Sequence, residues 1–425
     1  MRRYVIVGAG IAGMTAAQAI VRADPAAELR VLGAESYPYY RRPQLCEFVA
    51  GVIEQEALYF RPLEWYAARG IQVYLGAHVI TLDPAEHRLA LADGSSVQYD
   101  RLLLATGARS FVPPFAGAVK AGVFTLRTLN DALVMRDYAR EVPSAAVIGG
   151  GLLGLETARA LRTAGLEVTV IEFAPHLLPR QLDAEGAEVL QSLLEAQGLR
   201  ILTGAVTEAI LGAERAMGVQ LKACPERSRR NGRVVDGELV LISTGIRSRV
   251  ELARAAGLGV NQGVIVDERL CTSAADGSTA LTTGIYAAGD AAEFEGRVYG
   301  LVTAATEQAQ VAAANMVAPG SATYRGTMPA TTLKIAGVDL TCLGQTTAAG
   351  DEFVIRRRAD PAAGVYRRLA LRGGKIVGAI LLGDTRDVRP LRQLIASGRD
   401  VSAHSERLLD KDFDLKALAN HQLTN

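Results

Sequence analysis

Two glycine-rich turns carry the clearest chemical signal in this chain. The first is Val5-Ile6-Val7-Gly8-Ala9-Gly10-Ile11-Ala12-Gly13, and the second is Val147-Ile148-Gly149-Gly150-Gly151-Leu152-Leu153-Gly154. In each, an apolar run predicts a strand, the glycines predict a tight turn, and the residues that follow predict a helix. Gly8 and Gly149 make the turn, Gly10 and Gly151 let the backbone approach a pyrophosphate, and Gly13 and Gly154 let the helix pack close to the sheet. Ile11-Ala12 and Leu152-Leu153 open the helices, whose N-termini favour an anion. One copy is a turn that any α/β domain can contain; two copies predict two dinucleotide sites. Arg2-Arg3 before an apolar run also invites a signal-peptide reading, but small residues interrupt the run and no processing site follows.

Acids and a cation stand where a nucleotide needs them. The strand Val168-Thr169-Val170-Ile171 is followed at once by Glu172, placed to accept hydrogen bonds from a ribose diol. After the first turn, the strand Leu29-Arg30-Val31-Leu32 ends at Gly33, and Glu35 two residues on is the substitute acid, with a solvated loop acid as its rival reading. Arg42 can neutralise phosphate, and Pro43 stiffens the loop that carries both.

Composition excludes several classes. The 425 residues allow two or three domains, and 46 Lys plus Arg against 45 Asp plus Glu give no support to nucleic-acid or membrane-surface binding. No apolar stretch reaches membrane-spanning length uninterrupted. The four cysteines form no CxxC pair and the five histidines show no metal spacing, so no metal site is expected, and a reducing, cytoplasmic location fits.

Two further motifs, Ala105-Thr106-Gly107 and Ile285-Tyr286-Ala287-Ala288-Gly289-Asp290, stand in a fixed order with the glycine turns. Together the four resemble the two-dinucleotide flavoprotein reductases, the pyridine nucleotide-disulfide oxidoreductase superfamily. Arg42-Pro43-Gln44-Leu45, His176-Leu177-Leu178-Pro179-Arg180-Gln181-Leu182-Asp183 and Glu307-Gln308-Ala309 make the chain most similar to NADH-rubredoxin reductases and the flavin-binding N-terminal part of nitrite reductase large subunits. The clustered cysteines of the iron-sulfur and sirohaem domains are missing, so a stand-alone reductase is expected.

The resemblance implies an α/β protein with two Rossmann-like dinucleotide-binding domains, the FAD domain discontinuous (1–112 and 244–324), the NAD domain inserted (113–243), and a smaller C-terminal α+β domain with tail (325–425). It implies FAD held by Thr106, Gly107, Gly289 and Asp290 besides the first glycine turn, NADH at the second, and a cofactor contact at Gly245. NADPH is disfavoured because Glu172 would repel a 2′-phosphate. A helix starting near Thr303 would aim its N-terminus at the flavin. The implied activity is hydride transfer from NADH to flavin, then electron delivery to a small iron-containing carrier of rubredoxin or ferredoxin type; relatives also use the third domain in dimer contacts.

Several residues keep two readings. Glu156 matches a family glutamate near the nicotinamide and flavin, or is a first-turn acid favoured by the helix dipole. Glu47 stands where related ferredoxin reductases often carry lysine, and is assigned no catalytic role. Cys46 is either a redox thiol, as in NADH oxidases and coenzyme A-disulfide reductases of the same superfamily, or a small residue packed against the flavin. A flavoprotein that signals through a changed surface is a third reading. Arg356-Arg357-Arg358 and Arg367-Arg368 are expected as solvated strand ends, with an acidic redox partner as the alternative. Residues 224–232 read as a basic hairpin tip.

Overall fold

The protein is described from a computed structural model covering residues 1–222, 233–278, 282–335 and 337–420. The hairpin tip at 224–232 lies outside these residues. The chain folds as two compact units: Met1–Gln44, Glu54–Phe111 and Ile246–Thr327 form the first, and Leu45–Ile53, Val112–Gly245 and Met328–Asn425 form the second.

The first unit is built on a five-stranded parallel sheet, ordered Ile285–Ala287, Arg101–Leu104, Arg3–Val7, Glu28–Gly33, Ile71–Leu75. Tyr4, Val5, Ile6 and Val7 are all buried, as befits a central strand covered on both faces. Val7 pairs with Leu32 on one side and Leu104 on the other, so three strand ends lie level beneath the first glycine turn. The turn therefore sits where the strand order reverses, the crevice in which open α/β sheets bind ligands. Helix Ile11–Ala23 leaves this turn and packs along helix Val302–Val317.

The second unit repeats the plan. Its parallel sheet is ordered Arg200–Leu202, Glu167–Ile171, Ser144–Ile148, Leu239–Ile242, Val123–Phe124, with Ile148 level with Ile171 and Ile242. Helix Leu152–Thr163 leaves the second turn, and the short helix Leu45–Val49 packs on it.

This unit also holds a five-stranded antiparallel sheet, ordered Ala330–Ile335, Val338–Gly344, Lys375–Leu382, Val365–Arg372, Phe353–Asp360. Leu343, Leu369, Leu371 and Leu381 on one face bury against Leu391 and Leu394 of helix Val388–Ser397.

That sheet corrects the expectation for Arg367-Arg368. Strand Val365–Arg372 is covered on both faces, so neither arginine is solvated or free to meet a partner: their side chains are 4 % exposed. Arg367 is 2.5 Å from Asp387 and 3.3 Å from Asp384, and Arg368 is 3.2 Å from Asp183. A guanidinium leaves water only where carboxylates and carbonyls replace it. Of the other run, Arg356 bonds Ser405 and Glu406 and Arg358 donates to Leu409 O, which pins the C-terminal segment on the edge strand.

Two glycines of the first turn have opposite physical reasons. A Cβ on Gly13 would lie 1.9 Å from Gly8 O, whereas one on Gly10 would meet nothing within 4 Å. In the absence of any added nucleotide, Gly13→Ala is expected to destabilise the protein by about 3 kcal/mol through overpacking, and Gly10→Ala, at the helix N-cap, by no more than about 1 kcal/mol; equal losses in thermal unfolding would contradict this.

Candidate functional site

The first unit gathers its predicted residues around the first turn. Gly8, at φ +116°, has a backbone only glycine adopts readily, and a Cβ there would lie 2.1 Å from Ala105 O. The turn is thus pressed against Ala105-Thr106-Gly107. Thr106 Oγ1 donates to Arg249 O at 2.9 Å, and Arg249 N donates to Gly107 O at 2.9 Å, a reciprocal pair that fixes the return. On the other flank Gly289, at φ +77°, comes so close to helix Ile11–Ala23 that a Cβ there would meet the Ala12 methyl at 3.0 Å. Gly289 N donates to Gln308 Oε1 at 2.8 Å, so helix Val302–Val317 sets the 3₁₀ turn Gly289–Ala291 that carries Asp290.

Glu35 is no solvated loop acid. Its carboxylate accepts from Tyr40 Oη at 2.6 Å and from Arg42 Nη2 at 3.0 Å. Gly33 explains the displacement of the acid: a Cβ there would come within 2.9 Å of the Ala9 Cβ. Desolvation works against the Arg42 guanidinium, but Tyr40, Glu35 and Asp290 outweigh it and raise its pKa above the ordinary value. The predicted Glu35, Arg42 and Asp290 therefore share one electrostatic neighbourhood. Pro43 is exposed in the middle of the partly buried 3₁₀ turn Arg42–Gln44.

The second unit reproduces the geometry. A Cβ on Gly149 would lie 2.2 Å from Ser243 O and one on Gly154 2.0 Å from Gly149 O, while Gly151 again faces open space. Leu152 and Leu153 open the helix and no side chain caps it, so its first N–H groups have no side-chain cap to compete with an anion. Glu172 closes the crevice wall: its carboxylate accepts from Gly150 N at 2.6 Å and Ala174 N at 2.7 Å. Gly245 ends this unit at φ +112° with open space where a Cβ would be.

The fit to a dinucleotide rests on Gly10 and Gly151. Gly10 has φ −82° and ψ −171°, and Gly151 φ −79° and ψ 177°, values any residue adopts. Neither conformation nor packing requires glycine at either position. What remains is close approach by something outside the chain, at a helix N-terminus in both cases.

One expectation changes. Glu156 lies in the second turn of its helix, whose first turn holds no acid, so the helix-dipole explanation falls. Cys46 is buried on the helix Leu45–Val49, its Sγ 3.5 Å from Thr157 Oγ1. Burial pushes the Cys271 thiol up to about 11 and the Cys342 thiol up to about 12, so neither is a thiolate near neutral pH. Sequence reasoning misses the support given to the first site by Tyr40 and Gln308; Tyr40 is visible there only as one of several loop aromatics. Among the described residues no His/Cys/Asp/Glu cluster could hold a metal, and no helix is long and apolar enough to cross a membrane.

Comparison with known proteins places this geometry. Residues 2–312 match the pyridine nucleotide-disulphide oxidoreductase family, and residues 329–399 the rubredoxin NAD+ reductase C-terminal domain. A nitrite reductase [NAD(P)H] of Bacillus subtilis is 35% identical over 95% of this chain and 48% of its own length. The ferredoxin–NAD(+) reductase component of the biphenyl dioxygenase system of Paraburkholderia xenovorans is 32% identical over 97% of both chains. The crystal structure of the ferredoxin reductase for the CYP199A2 system of Rhodopseudomonas palustris superposes with a TM-score of 0.85 at 28% identity, covering 99% of this chain and 100% of that one. The chain spans about half the length of the nitrite- and nitrate-reductase relatives it matches. Because the family match runs through both glycine-turn units, and full-length relatives share the whole chain, this protein belongs to the pyridine nucleotide-disulphide oxidoreductase family.

Proposed function

We propose that this chain is an FAD-dependent NADH reductase that delivers electrons to a small iron-containing carrier. The observation that carries the reading is the duplicated turn whose middle glycine, Gly10 or Gly151, is needed by neither packing nor backbone. FAD, when bound, supplies the ability to take two electrons from a nicotinamide and release them singly. The chain's own residues do the rest. Gly8, Gly10 and Gly13 with Ile11 and Ala12 present N–H groups to the FAD pyrophosphate, Arg42 supplies positive charge, and Glu35 takes the ribose. Thr106, Gly107, Gly289 and Asp290 line the same crevice. Gly149, Gly151 and Gly154 with Leu152 and Leu153 do the same for NADH, with Glu172 on its ribose and Gly245 at the exit. Glu156 is the residue placed near the nicotinamide. The four spans 1–112, 113–243, 244–324 and 325–425 are the functional division.

Preference for NADH over NADPH follows from Glu172. Two backbone N–H groups hold the carboxylate in place, so a 2′-phosphate would meet a fixed negative charge rather than a mobile one. Among the named relatives, the two ferredoxin reductases support an iron carrier as acceptor, as does the match to the rubredoxin NAD+ reductase C-terminal domain. A cytoplasmic location and a homodimer belong to the same proposal. The thiol-based alternative, NADH oxidase or coenzyme A-disulfide reductase, depends on Cys46, and its packing against Thr157 favours a structural role.

Three measurements test this. Gly10→Val fills the open space at the first turn and is expected to yield folded protein without bound FAD; normal flavin absorbance would refute the first site. Glu172→Ser should narrow the ratio of kcat/KM for NADH over NADPH by about tenfold, worth about 1.4 kcal/mol; an unchanged ratio would mean that the acid does not face the ribose. In anaerobic stopped-flow, NADH-reduced protein is expected to be reoxidised rapidly by oxidised rubredoxin or ferredoxin, in wild type and Cys46→Ser alike. Fast reoxidation by coenzyme A disulfide alone, lost in Cys46→Ser, would establish the thiol reductase instead.

A further inference from the structure

The segment 172–183 links the second glycine turn to the antiparallel sheet of the same unit. At one end, Glu172 accepts from Gly150 N, and Leu178 N donates to Gly150 O at 3.2 Å. Leu177 fills the space beside Gly150, where a Cβ would meet its Cδ2 at 2.7 Å. Leu177, Leu178 and Leu182 are buried, and Leu178 is held at φ +48°. Such a conformation is costly for a branched residue and persists only where its surroundings hold it.

At the other end stands Asp183. It caps helix Ala184–Ala196 by accepting from Gly186 N at 3.2 Å, and its second oxygen accepts from Tyr366 Oη at 2.6 Å. Arg368 Nε lies 3.2 Å from that same oxygen, while its terminal nitrogens donate to Thr346 O and Ala348 O. Gly186 admits the Tyr366 ring: a Cβ there would lie 2.9 Å from Tyr366 Cδ1 and Cε1. Cys342 Sγ, on strand Val338–Gly344 of the same sheet, donates to Gln181 O at 3.6 Å.

A helix cap needs only one oxygen of Asp183. The second oxygen accepts from the buried Tyr366 hydroxyl and faces the buried Arg368 guanidinium, with Arg357 Nε 3.9 Å away, a costly arrangement for capping alone. We infer that Tyr366 and Arg368 are positioning residues for nicotinamide dinucleotide binding: by clamping Asp183 they hold segment 177–182 against Gly150, and so keep the second glycine turn in its binding shape. The C-terminal sheet is then part of the dinucleotide site without touching the dinucleotide. The inference rests on the reading of the second turn as the NADH site.

The test uses the full-length, FAD-loaded protein, with NAD+ as the probe in isothermal titration calorimetry and NADH in steady-state kinetics. Tyr366→Phe keeps the ring that packs on Gly186 and removes only the hydroxyl. It is expected to weaken NAD+ binding roughly tenfold and to raise KM for NADH in step, with kcat at saturating NADH and flavin content unchanged. Asp183→Asn, which keeps a competent cap, is expected to weaken binding in the same way and stands in if Tyr366→Phe does not fold. A lowered melting temperature with unchanged NAD+ affinity would overturn the inference, because the clamp would then be structural only. Wild-type protein that binds no NAD+ would instead overturn the NADH reading on which it rests.

Discussion

The whole architecture depends on backbone-to-backbone contact at the two glycine turns. A carbonyl oxygen, Ala105 O in one unit and Ser243 O in the other, occupies the place where a side chain on the first glycine would begin. A second carbonyl, from the first glycine itself, occupies the place of a side chain on the third. These contacts bring the start of each helix directly over three level strand ends. The middle glycine, Gly10 or Gly151, is exempt from that crowding in both turns. The duplication makes the distinction internal to the molecule, since two unrelated stretches of sequence arrive at the same three-part pattern.

Carboxylates provide the second layer of order. Glu172, Glu35 and Asp183 each accept two or more hydrogen bonds, from backbone N–H groups or from tyrosine and arginine side chains. Charge-assisted bonds of this kind are stronger than neutral ones and fix orientation. On the proposed function, Glu172 and Glu35 serve chiefly as fixed elements of the cofactor crevices, and chemistry resides in the cofactors they orient. The short list of candidate acid-base residues, with Glu156 alone singled out, is consistent with a reaction governed by orientation.

Charge burial also reshapes the account of the C-terminal sheet. Arginine runs on a strand ordinarily mean a solvated surface, and surface ion pairs contribute little. Here the pairs on strand Val365–Arg372 are buried, one on each face. Arg367 ties the strand to the start of helix Val388–Ser397 through Asp387, and Arg368 ties it to the cap of helix Ala184–Ala196 through Asp183. Positive charge expected at solvated strand ends is, for Arg367 and Arg368, instead neutralised inside the unit. The sheet contributes by these connections as much as by its own core.

The sequence by itself determined the strand-turn-helix units, because glycine spacing and apolar runs follow from local backbone sterics and from the pairing of neighbouring strands. It also placed Glu172 one residue beyond a strand whose end the pattern marks, the strand Glu167–Ile171. The acid of the first site was legible only as a choice, since Gly33 stands at the usual position and nothing local shows the Ala9 methyl that excludes a side chain there. Tertiary structure alone decided that Glu35 joins Tyr40 and Arg42, and that Cys46 packs on Thr157, 111 residues away. It alone decided that Arg367 and Arg368 are interior: Tyr366, on the same strand, meets Asp183 across 183 residues of chain. A charged side chain can be buried only when partners arrive to replace its water, and whether they arrive depends on how distant segments pack, which no local pattern records.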